Sequence, residues 1–277
     1  YANLTGATLG YATLLATFNS ADLTDANLYH ADLSSAWLHY TKLNGANLSR
    51  ADLTNADLKG ADLSNASLGY ADLSGAWLQD VNLTDASLGS ADLSNAVLQD
   101  VDLSNANLFD ADLTNLLAFG ITLKDADLRW AILKNAYFLE QDVYKCDLTN
   151  ANLQYADLTN VFFSYSNVDG DFKSCKLTNA NLNYADLTGA SLPYVDLTGA
   201  SLRQAELTNA NLTDADLTNA NLNYADLTGA NLFEADLTGA DLNYADLTNA
   251  DFQDADLEDA TLAEADLKFA KFSGATV

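Results

Sequence analysis

Few side chains in this sequence could do chemistry, and most of those that could are aspartates at regular spacing. The chain has 39 Asp and Glu residues but two histidines, His30 and His39. Both histidines fall at positions that we expect to face outward, and the sequence places no Ser or Cys beside them as a nucleophile. A row of aspartates also lacks the concave pocket that catalysis requires. The sequence therefore predicts no catalytic residue, no enzyme activity and no bound cofactor.

The acidic residues recur at intervals of twenty, which predicts rows of carboxylates. One row is Asp32, Asp52, Asp72, Asp92 and Asp112, and a second is Asp196, Asp216, Asp236 and Asp256. A third is Asp186, Glu206, Asp226, Asp246 and Asp266. Two interpretations stay open: a surface that imitates a nucleic-acid backbone or collects cations, and a solvated face that keeps the molecule soluble and blocks lateral strand pairing.

A weak metal-site candidate lies in the stretch Asn-Val-Asp-Gly-Asp at 167–171. Asn167, Asp169 and Asp171 alternate oxygen-bearing side chains around a glycine, as in calcium loops. The bidentate Glu that usually completes such a loop is missing, and Lys173 occupies that neighbourhood. A plain turn is the favoured interpretation.

The two cysteines, Cys146 and Cys175, each replace the alanine of a repeat. That position predicts a buried thiol that packs as a small apolar group. With an uninterrupted repeat, the two would lie about one and a half coils apart, on opposite sides. A disulfide between them is therefore not expected.

A strict period of five residues organises the whole chain. In 205–249 an alanine recurs every fifth residue and a leucine follows two positions later, as in Ala205 and Leu207. This period fits neither a helix of 3.6 residues per turn nor a strand of period two. Four short extended units, each ended by a turn, would instead make a coil of about 20 residues. Such coils would stack through parallel backbone hydrogen bonds about 4.8 Å apart, with Ala and Leu inside.

The iterated A(D/N)LXX units resemble the pentapeptide-repeat family, and the uniform text is similar to its cyanobacterial members. The resemblance covers essentially the whole chain. It implies an all-β fold, a right-handed quadrilateral parallel β-helix (a β-solenoid). At 20 residues per coil the chain would make about 14 coils.

The repeat frame predicts one domain over 1–277, with a regular lobe at 1–113, a divergent waist at 114–175 and a second regular lobe at 176–277. Two steps of four residues interrupt the frame, from Leu14 to Phe18 and from Val168 to Phe172. Elsewhere the phase holds, so the sequence predicts no projecting loop.

Large apolar residues occupy outward positions of the first lobe and the waist, where they predict a contact surface. One predicted face carries Trp37, Trp77, Val97, Leu117, Phe119, Tyr137 and Leu139, and a neighbouring face adds Tyr144, Phe162 and Tyr165. Aromatic stacking between coils is the other interpretation. Tyr184, Tyr224 and Tyr244 share a further column that we interpret as structural.

These features predict a non-catalytic acidic rod that acts as a scaffold or protein-interaction module, alone or as a segment of a longer protein. Both ends fall inside repeats, so end-to-end as well as side-by-side self-association is expected, besides a protein partner. With a net charge of −27, the chain should bind neither nucleic acid nor a membrane. The alternative, implied by the resemblance, is a DNA mimic that binds gyrase, a type II topoisomerase, as quinolone-resistance members do. The compartment stays open between the cytoplasm, slightly favoured, and an exported or lumenal location.

Overall fold

The chain winds into a stack of parallel coils. The structure, a computed structural model, describes residues 2–15, 17–139, 146–166 and 172–277. These residues contain no helix, and the central polar residue of a typical unit bridges to its counterpart one coil further on, as Asp52 does to Asp72. Four such ladders run side by side and define four faces. Face 1 carries the ladder through Asp62 and Asn82, face 2 Ser67 and Ser87, face 3 Asp72 and Asp92, and face 4 Asp57 and Trp77.

The interior is filled by the two apolar positions of each unit. Ala96 and Leu98 are fully buried, and the columns of Ala and Leu are buried in the same way from Ala21 to Leu257, while those of the first and last coils are partly exposed. The core is thus one side chain deep from each face. Burial of a leucine side chain contributes about 1.5–3 kcal/mol, so stability accumulates unit by unit along the rod.

In the unit 71–75 every backbone N–H has a partner. The N–H of Ala71 crosses the turn to the carbonyl of Leu68, and three others donate to carbonyls of the adjacent coils, at 2.7–3.0 Å. The remaining N–H, that of Ser74, donates to Oδ1 of Asp72 at 2.9 Å. Since a buried or half-buried N–H without a partner is costly, this bond explains why the polar residue of most units is Asp or Asn.

The last residue of each unit turns the chain with a positive φ. Asn55 has φ 55° and Gly75, one coil further, has φ 66°. A Cβ on Gly75 would lie 2.6 Å from Oδ1 of Asn55, so a side chain there would displace the asparagine below it. Asn and Gly therefore share this corner column, because both tolerate left-handed backbone.

Four coils carry regular strands on face 4. They are β1 (Trp77–Gln79), β2 (Val97–Gln99), β3 (Leu117–Phe119) and β4 (Tyr137–Leu139), paired in parallel in that order. Each begins with an apolar residue at the position of the capping Asp. An apolar side chain cannot accept the hydrogen bond that caps the usual turn, although Trp37 and Ile132 occupy the same position in units that keep the turn.

Two longer steps interrupt the ladders and correct the predicted frame. Thr122 bridges to Asp147, and Asp147 bridges to Lys176. These steps exceed the regular step of twenty by five and by nine, so residues leave the coils at both places. The second insertion includes an antiparallel hairpin of β5 (Ser164–Ser166) and β6 (Phe172–Ser174). The five-residue phase of the sequence holds through the first insertion, but the expectation that all of these residues belong to coils, with no loop outside them, was wrong. The estimate of about 14 coils, which counted every residue in a coil, is not confirmed.

The first frame break has a simpler cause. Thr17 bridges to Trp37 with the regular step of twenty, whereas the step from Thr13 to Asp32 is shorter by one. One residue is missing from the first coil, as the four-residue step from Leu14 to Phe18 predicts. The division into two lobes and a waist stays a prediction.

Candidate protein-contact surface

The apolar stripe is one continuous ladder on face 4. Bridges and strand pairs join Trp37, Asp57, Trp77, Val97, Leu117, Tyr137 and Phe162 in that order. Phe119 and Leu139 pair with each other beside it, in β3 and β4. We call these residues, without Asp57, the apolar stripe. At about 4.8 Å per coil, the part from Trp77 to Phe162 is about 19 Å long.

The stripe presents its largest side chains to solvent. Trp37 is 57% exposed, Trp77 59% and Tyr137 42%, while Val97 and Leu117 are half-buried between them. Isolated exposed apolar residues need no explanation, but aromatic residues in one row on a strongly acidic molecule form a patch of the kind that marks contact surfaces.

Phe162 lies on face 4 itself, not on a neighbouring face. It bridges to Tyr137, and the two rings are stacked with centroids 4.6 Å apart and planes 2° apart. The prediction was wrong because it counted the five residues between the two coils as part of a coil. Tyr144 lies outside the described residues, and so does the side chain of Tyr165.

Acidic groups border the stripe. Asp80 and Asp100 end the units of β1 and β2, at the corner beside the stripe. Burial raises the pKa of the Asp100 carboxyl, a hydrogen bond from Gln99 lowers it less, and the charge on Asp80 adds to the rise. Along the described face 4 ladder, by contrast, the positions from Trp77 to Asn231 carry no carboxylate. An uncharged strip is thus edged by negative charge.

The acidic rows of face 3 form one ladder. The row that ends at Asp112 continues through Ile132 and Asp157 to Asp186, and from there to Asp266. The row from Asp196 to Asp256 belongs to face 1. The sequence shows the first ladder as two rows, because the inserted residues lengthen two of its steps beyond twenty.

These carboxylates are hydrogen-bonded within their own units. Oδ1 of Asp52 accepts the N–H of Thr54 at 2.9 Å and its hydroxyl at 2.7 Å, and Asp112, Asp186, Asp226 and Asp246 accept the corresponding N–H. A hydrogen bond to a charged group contributes about 1.5–3 kcal/mol, whereas repulsion between carboxylates about 4.8 Å apart in water is about 0.9 kcal/mol per pair before salt screening. The hydrogen bonds outweigh the repulsion, which makes the rows part of the turn structure.

The column of Tyr184, Tyr224 and Tyr244 includes two further aromatic residues that the sequence did not connect to it, Trp130 and Tyr155. Trp130 and Tyr155 stack at 4.4 Å, and Tyr155 and Tyr184 at 4.9 Å, at the corner between faces 2 and 3. Tyr224 and Tyr244 stack further along, at 4.7 Å. The signal was hidden because positions 130, 155 and 184 do not follow the regular step of twenty. The rings lie face to face along the rod, as expected for stacking that supports the coils.

The two cysteines form a disulfide, contrary to expectation. Their Cα atoms are 4.6 Å apart, and the side chains are 2% and 0% exposed. Cys146 and Cys175 occupy the same interior column in consecutive coils, because nine of the residues between them leave the stack. The burial of both side chains agrees with the sequence, while the predicted placement on opposite sides was wrong.

The remaining polar candidates are the two histidines and the calcium candidate. Nε2 of His39 lies 2.7 Å from a carboxylate oxygen of Asp57, and the His39 ring stacks on Trp37. His30 stacks on Tyr11. The described residues contain no cluster of three or more His, Cys, Asp or Glu side chains that could hold a metal ion. Asn167, Asp169 and Asp171, the calcium candidate, lie outside them.

Nor do the described ranges include a helix long and apolar enough to cross a membrane.

Three solved structures are similar to this chain along much of their length. HetL, a pentapeptide repeat protein involved in heterocyst differentiation regulation from the cyanobacterium Nostoc sp., is 33% identical over 99% of this chain and 88% of its own, with a TM-score of 0.32. A pentapeptide repeat protein of the Arabidopsis thaliana thylakoid lumen is 33% identical over 36% of this chain and 70% of its own, with a TM-score of 0.35. QnrB1, a plasmid-mediated fluoroquinolone resistance protein, is 16% identical over 96% and 91%, with a TM-score of 0.27. A search of curated proteins finds no match.

The family model described as "Pentapeptide repeats (8 copies)" matches almost the entire sequence. The matched residues are 1–45, 46–85, 78–115, 122–164, 171–209, 210–243 and 240–276. The stacked four-unit coils, their Ala and Leu interior and this match agree: the chain belongs to the pentapeptide-repeat family, and its fold is the right-handed quadrilateral parallel β-helix.

Proposed function

We propose that this protein is a non-catalytic interaction module that binds a protein partner through the apolar stripe. The observation that carries the proposal is the row of exposed aromatic side chains, Trp37, Trp77 and Tyr137, on a face whose described ladder is otherwise uncharged from Trp77 to Asn231. Large aromatic side chains are the residues that most often dominate binding energy at protein interfaces.

The chemistry of the partner follows from the border of the stripe. A strip about 19 Å long and one strand wide offers far less than the ~800 Å² per partner of a standard interface. A partner must therefore also contact the acidic groups beside the stripe, among them Asp80 and Asp100. We propose an apolar centre flanked by Lys or Arg. A second copy of this chain fits less well, since it would bring its own acidic border.

A defined peptide probe tests the proposal. A labelled peptide of alternating Leu and Lys should bind the protein, and the variant Trp77→Ser/Leu117→Ser/Tyr137→Ser should bind at least about tenfold more weakly, the equivalent of about 1.4 kcal/mol. The matched control is Tyr184→Ser/Tyr224→Ser/Tyr244→Ser, which removes exposed aromatics from a corner and should leave affinity unchanged. A peptide of alternating Leu and Glu should not bind.

Equal affinity of both triple variants for the Leu–Lys peptide would contradict the proposal. Light scattering measures whether the protein binds a second copy of itself. If the wild type is a dimer and the stripe variant is a monomer, the partner at the stripe is a second copy of the chain.

The acidic ladders favour a second candidate, a DNA mimic that binds gyrase. Face 3 carries carboxylates from Asp32 to Asp266 with Ile132 between them, and the β5–β6 hairpin supplies a projecting segment that the sequence did not reveal. A supercoiling assay with purified gyrase tests it. If the wild-type protein inhibits supercoiling by gyrase, or protects gyrase from quinolones, this effect should be lost in a variant that replaces face 3 aspartates with asparagine. Asparagine keeps the turn hydrogen bonds and removes the charge. No effect of the wild-type protein at micromolar concentration would exclude the candidate.

A further inference from the structure

The described coils are interrupted twice between face 4 and face 1, in consecutive coils, before Cys146 and before Cys175. The first follows Leu139, the last residue of β4, and the chain re-enters the stack at Cys146. The second follows Phe163 and re-enters at Cys175. The N–H of Cys175 donates to the carbonyl of Phe163 at 3.0 Å, the bond that closes an ordinary turn elsewhere in the stack. The two cysteines are thus the return points of the two insertions.

The disulfide lies directly beneath one end of the apolar stripe. Sγ of Cys175 is 3.8 Å from the carbonyl oxygen of Phe138, and the buried rings of Phe138 and Phe163 stack with centroids 5.0 Å apart. Phe138 is the middle residue of β4, whose outer residues Tyr137 and Leu139 belong to the stripe. The same covalent link therefore supports the segments that carry Tyr137, Leu139 and Phe162.

Backbone bonds are long on both sides of this junction. The N–H of Gly120 is 3.4 Å from the carbonyl of Leu139, and the N–H of Asp196 is 3.4 Å from the carbonyl of Cys175. The equivalent bond one coil further, from Asp216 to the carbonyl of Val195, is 3.0 Å. The bond between the two linked coils themselves, from the N–H of Lys176 to the carbonyl of Cys146, is 3.0 Å, so the long bonds lie in the ladders on either side of the covalent link.

We propose that the Cys146–Cys175 disulfide is a redox-dependent lock that holds the insertion-bearing end of the apolar stripe in its binding conformation. Its effect on binding rests on the proposed function, whereas its effect on the structure does not. Oxidation joins the two sulfur atoms, and the two electrons and two protons pass to an acceptor disulfide, such as glutathione disulfide or the disulfide of an oxidoreductase, whose S–S bond breaks to give two thiols. The locked state is then the form expected in an oxidising compartment, and the open state the form expected among reduced thiols.

Because both cysteines are buried, thiol–disulfide exchange at this bond requires the coils to open first. Both side chains are at most 2% exposed, so an attacking thiolate cannot reach either sulfur in the closed stack. Reduction of the native protein by glutathione should be slow, and a low concentration of urea should accelerate it. The redox state would then be set when the chain folds.

The repeat itself supplies the appropriate variant. Alanine occupies the cysteine position in most units, so Cys146→Ala/Cys175→Ala should fold and cannot form the link. Hydrogen exchange is compared between the oxidised chain, the reduced chain and this variant. Exchange in Tyr137–Leu139 should be at least about tenfold faster without the disulfide. Exchange in Trp77–Gln79, three coils away, is the internal control and should not change.

Two results would overturn the lock. One is equal exchange of Tyr137–Leu139 in all three forms, and the other is the mass of two free thiols in protein refolded with glutathione disulfide. The Leu–Lys peptide supplies the second readout and should bind the Ala variant several-fold more weakly than the oxidised chain. If the peptide binds neither form, the proposed function fails while hydrogen exchange still decides on the lock. If it binds both equally and the stripe variant not at all, the proposed function stands and redox control is rejected.

Discussion

The Oδ1 atom of Asp72 accepts two hydrogen bonds from Ser74, one from the N–H at 2.9 Å and one from the hydroxyl at 2.6 Å. The same pair recurs in other units where Asp precedes Leu and Ser or Thr follows, as at Asp52 and Thr54. At the scale of the residue, the A-D-L-(S/T) unit is therefore a turn with an internal acceptor. The unit carries a charge because its acceptor is Asp, although the side-chain oxygen of Asn could accept the same hydrogen bond.

Replacement of Asp72 tests this assignment. Asp72→Ala should lower the free energy of unfolding by about 1–2 kcal/mol, because the N–H of Ser74 loses its partner. Asp72→Asn keeps an acceptor and removes one charge, so it should cost clearly less. Urea denaturation followed by circular dichroism measures both. A loss as large in the Asn variant as in the Ala variant would show that the charge, and not the acceptor, stabilises the unit.

At the scale of the element, the β5–β6 hairpin is an addition to a coil that is otherwise complete. The bond from Cys175 N–H to the carbonyl of Phe163 replaces the usual turn bond, so the solenoid continues past the hairpin in register. Strands β1 to β4 differ in kind: they are part of the coil wall, and apolar residues there replace the capping Asp.

Deletion of residues 165–173 should leave a folded solenoid. Ser164 and Ser174 would then be the two residues between Phe163 and Cys175, the number found between Leu148 and Ala151. The position before the small residue needs a positive φ, which serine adopts at Ser35 (55°) and Ser90 (55°). We expect a thermal midpoint within a few degrees of the wild type and an intact disulfide by mass spectrometry.

The control for this deletion removes nine residues from a regular region, 207–215. That change breaks the four-unit coil and should cause aggregation or a large loss of β-structure by circular dichroism. Equal damage from both deletions would mean that the hairpin is required for the stack.

At the scale of the whole molecule, charge sets the response to pH. The net charge is −27, so the folded rod repels itself at neutral pH. Burial raises the pKa of Glu234, helped by Asp214, and burial also raises that of Asp100. Ionisation of these two groups destabilises the folded state, and protonation relieves this as the pH falls through their raised folded pKa values.

Other carboxylates have a lowered pKa in the folded state, so their ionisation stabilises the fold. Hydrogen bonds from Arg129 lower the pKa of Asp127, and those from Ser34 lower the pKa of Asp32, below the ordinary 3.8. The stability that these groups contribute is present above the unfolded pKa and is lost as the pH falls through the depressed folded values.

The thermal midpoint should therefore rise as the pH falls from neutral toward the raised pKa values of Asp100 and Glu234, and fall again below the ordinary carboxyl pKa of 3.8. Scanning calorimetry at constant ionic strength measures this profile. The variant Asp100→Asn/Glu234→Gln should have a higher midpoint at neutral pH and a smaller rise on acidification, while Arg129→Gln should weaken the fall at low pH. A midpoint that falls steadily from neutral pH would contradict the expected balance.

The sequence by itself determined the coil, because each unit is a local structure. Leu at one position and Ala two before it must both face inward. The residue between them must cap an N–H, and the fifth must tolerate a positive φ. These rules act within five residues, so the all-β solenoid, the regular step of twenty and the row from Trp37 to Tyr137 could be predicted from the periods alone.

Only the tertiary structure decided which residues belong to the coils. The five residues that leave after β4 are one full period, so the pattern continues through them and conceals the insertion. That is why Phe162 was assigned to another face. The nine extra residues between Cys146 and Cys175 are the reason that the two cysteines were placed apart, and the two insertions together divided the face 3 ladder into two rows. Which residues meet in consecutive coils depends on how many residues each coil contains and how many lie outside it. The five-residue period is the same in both cases, so it cannot predict that number.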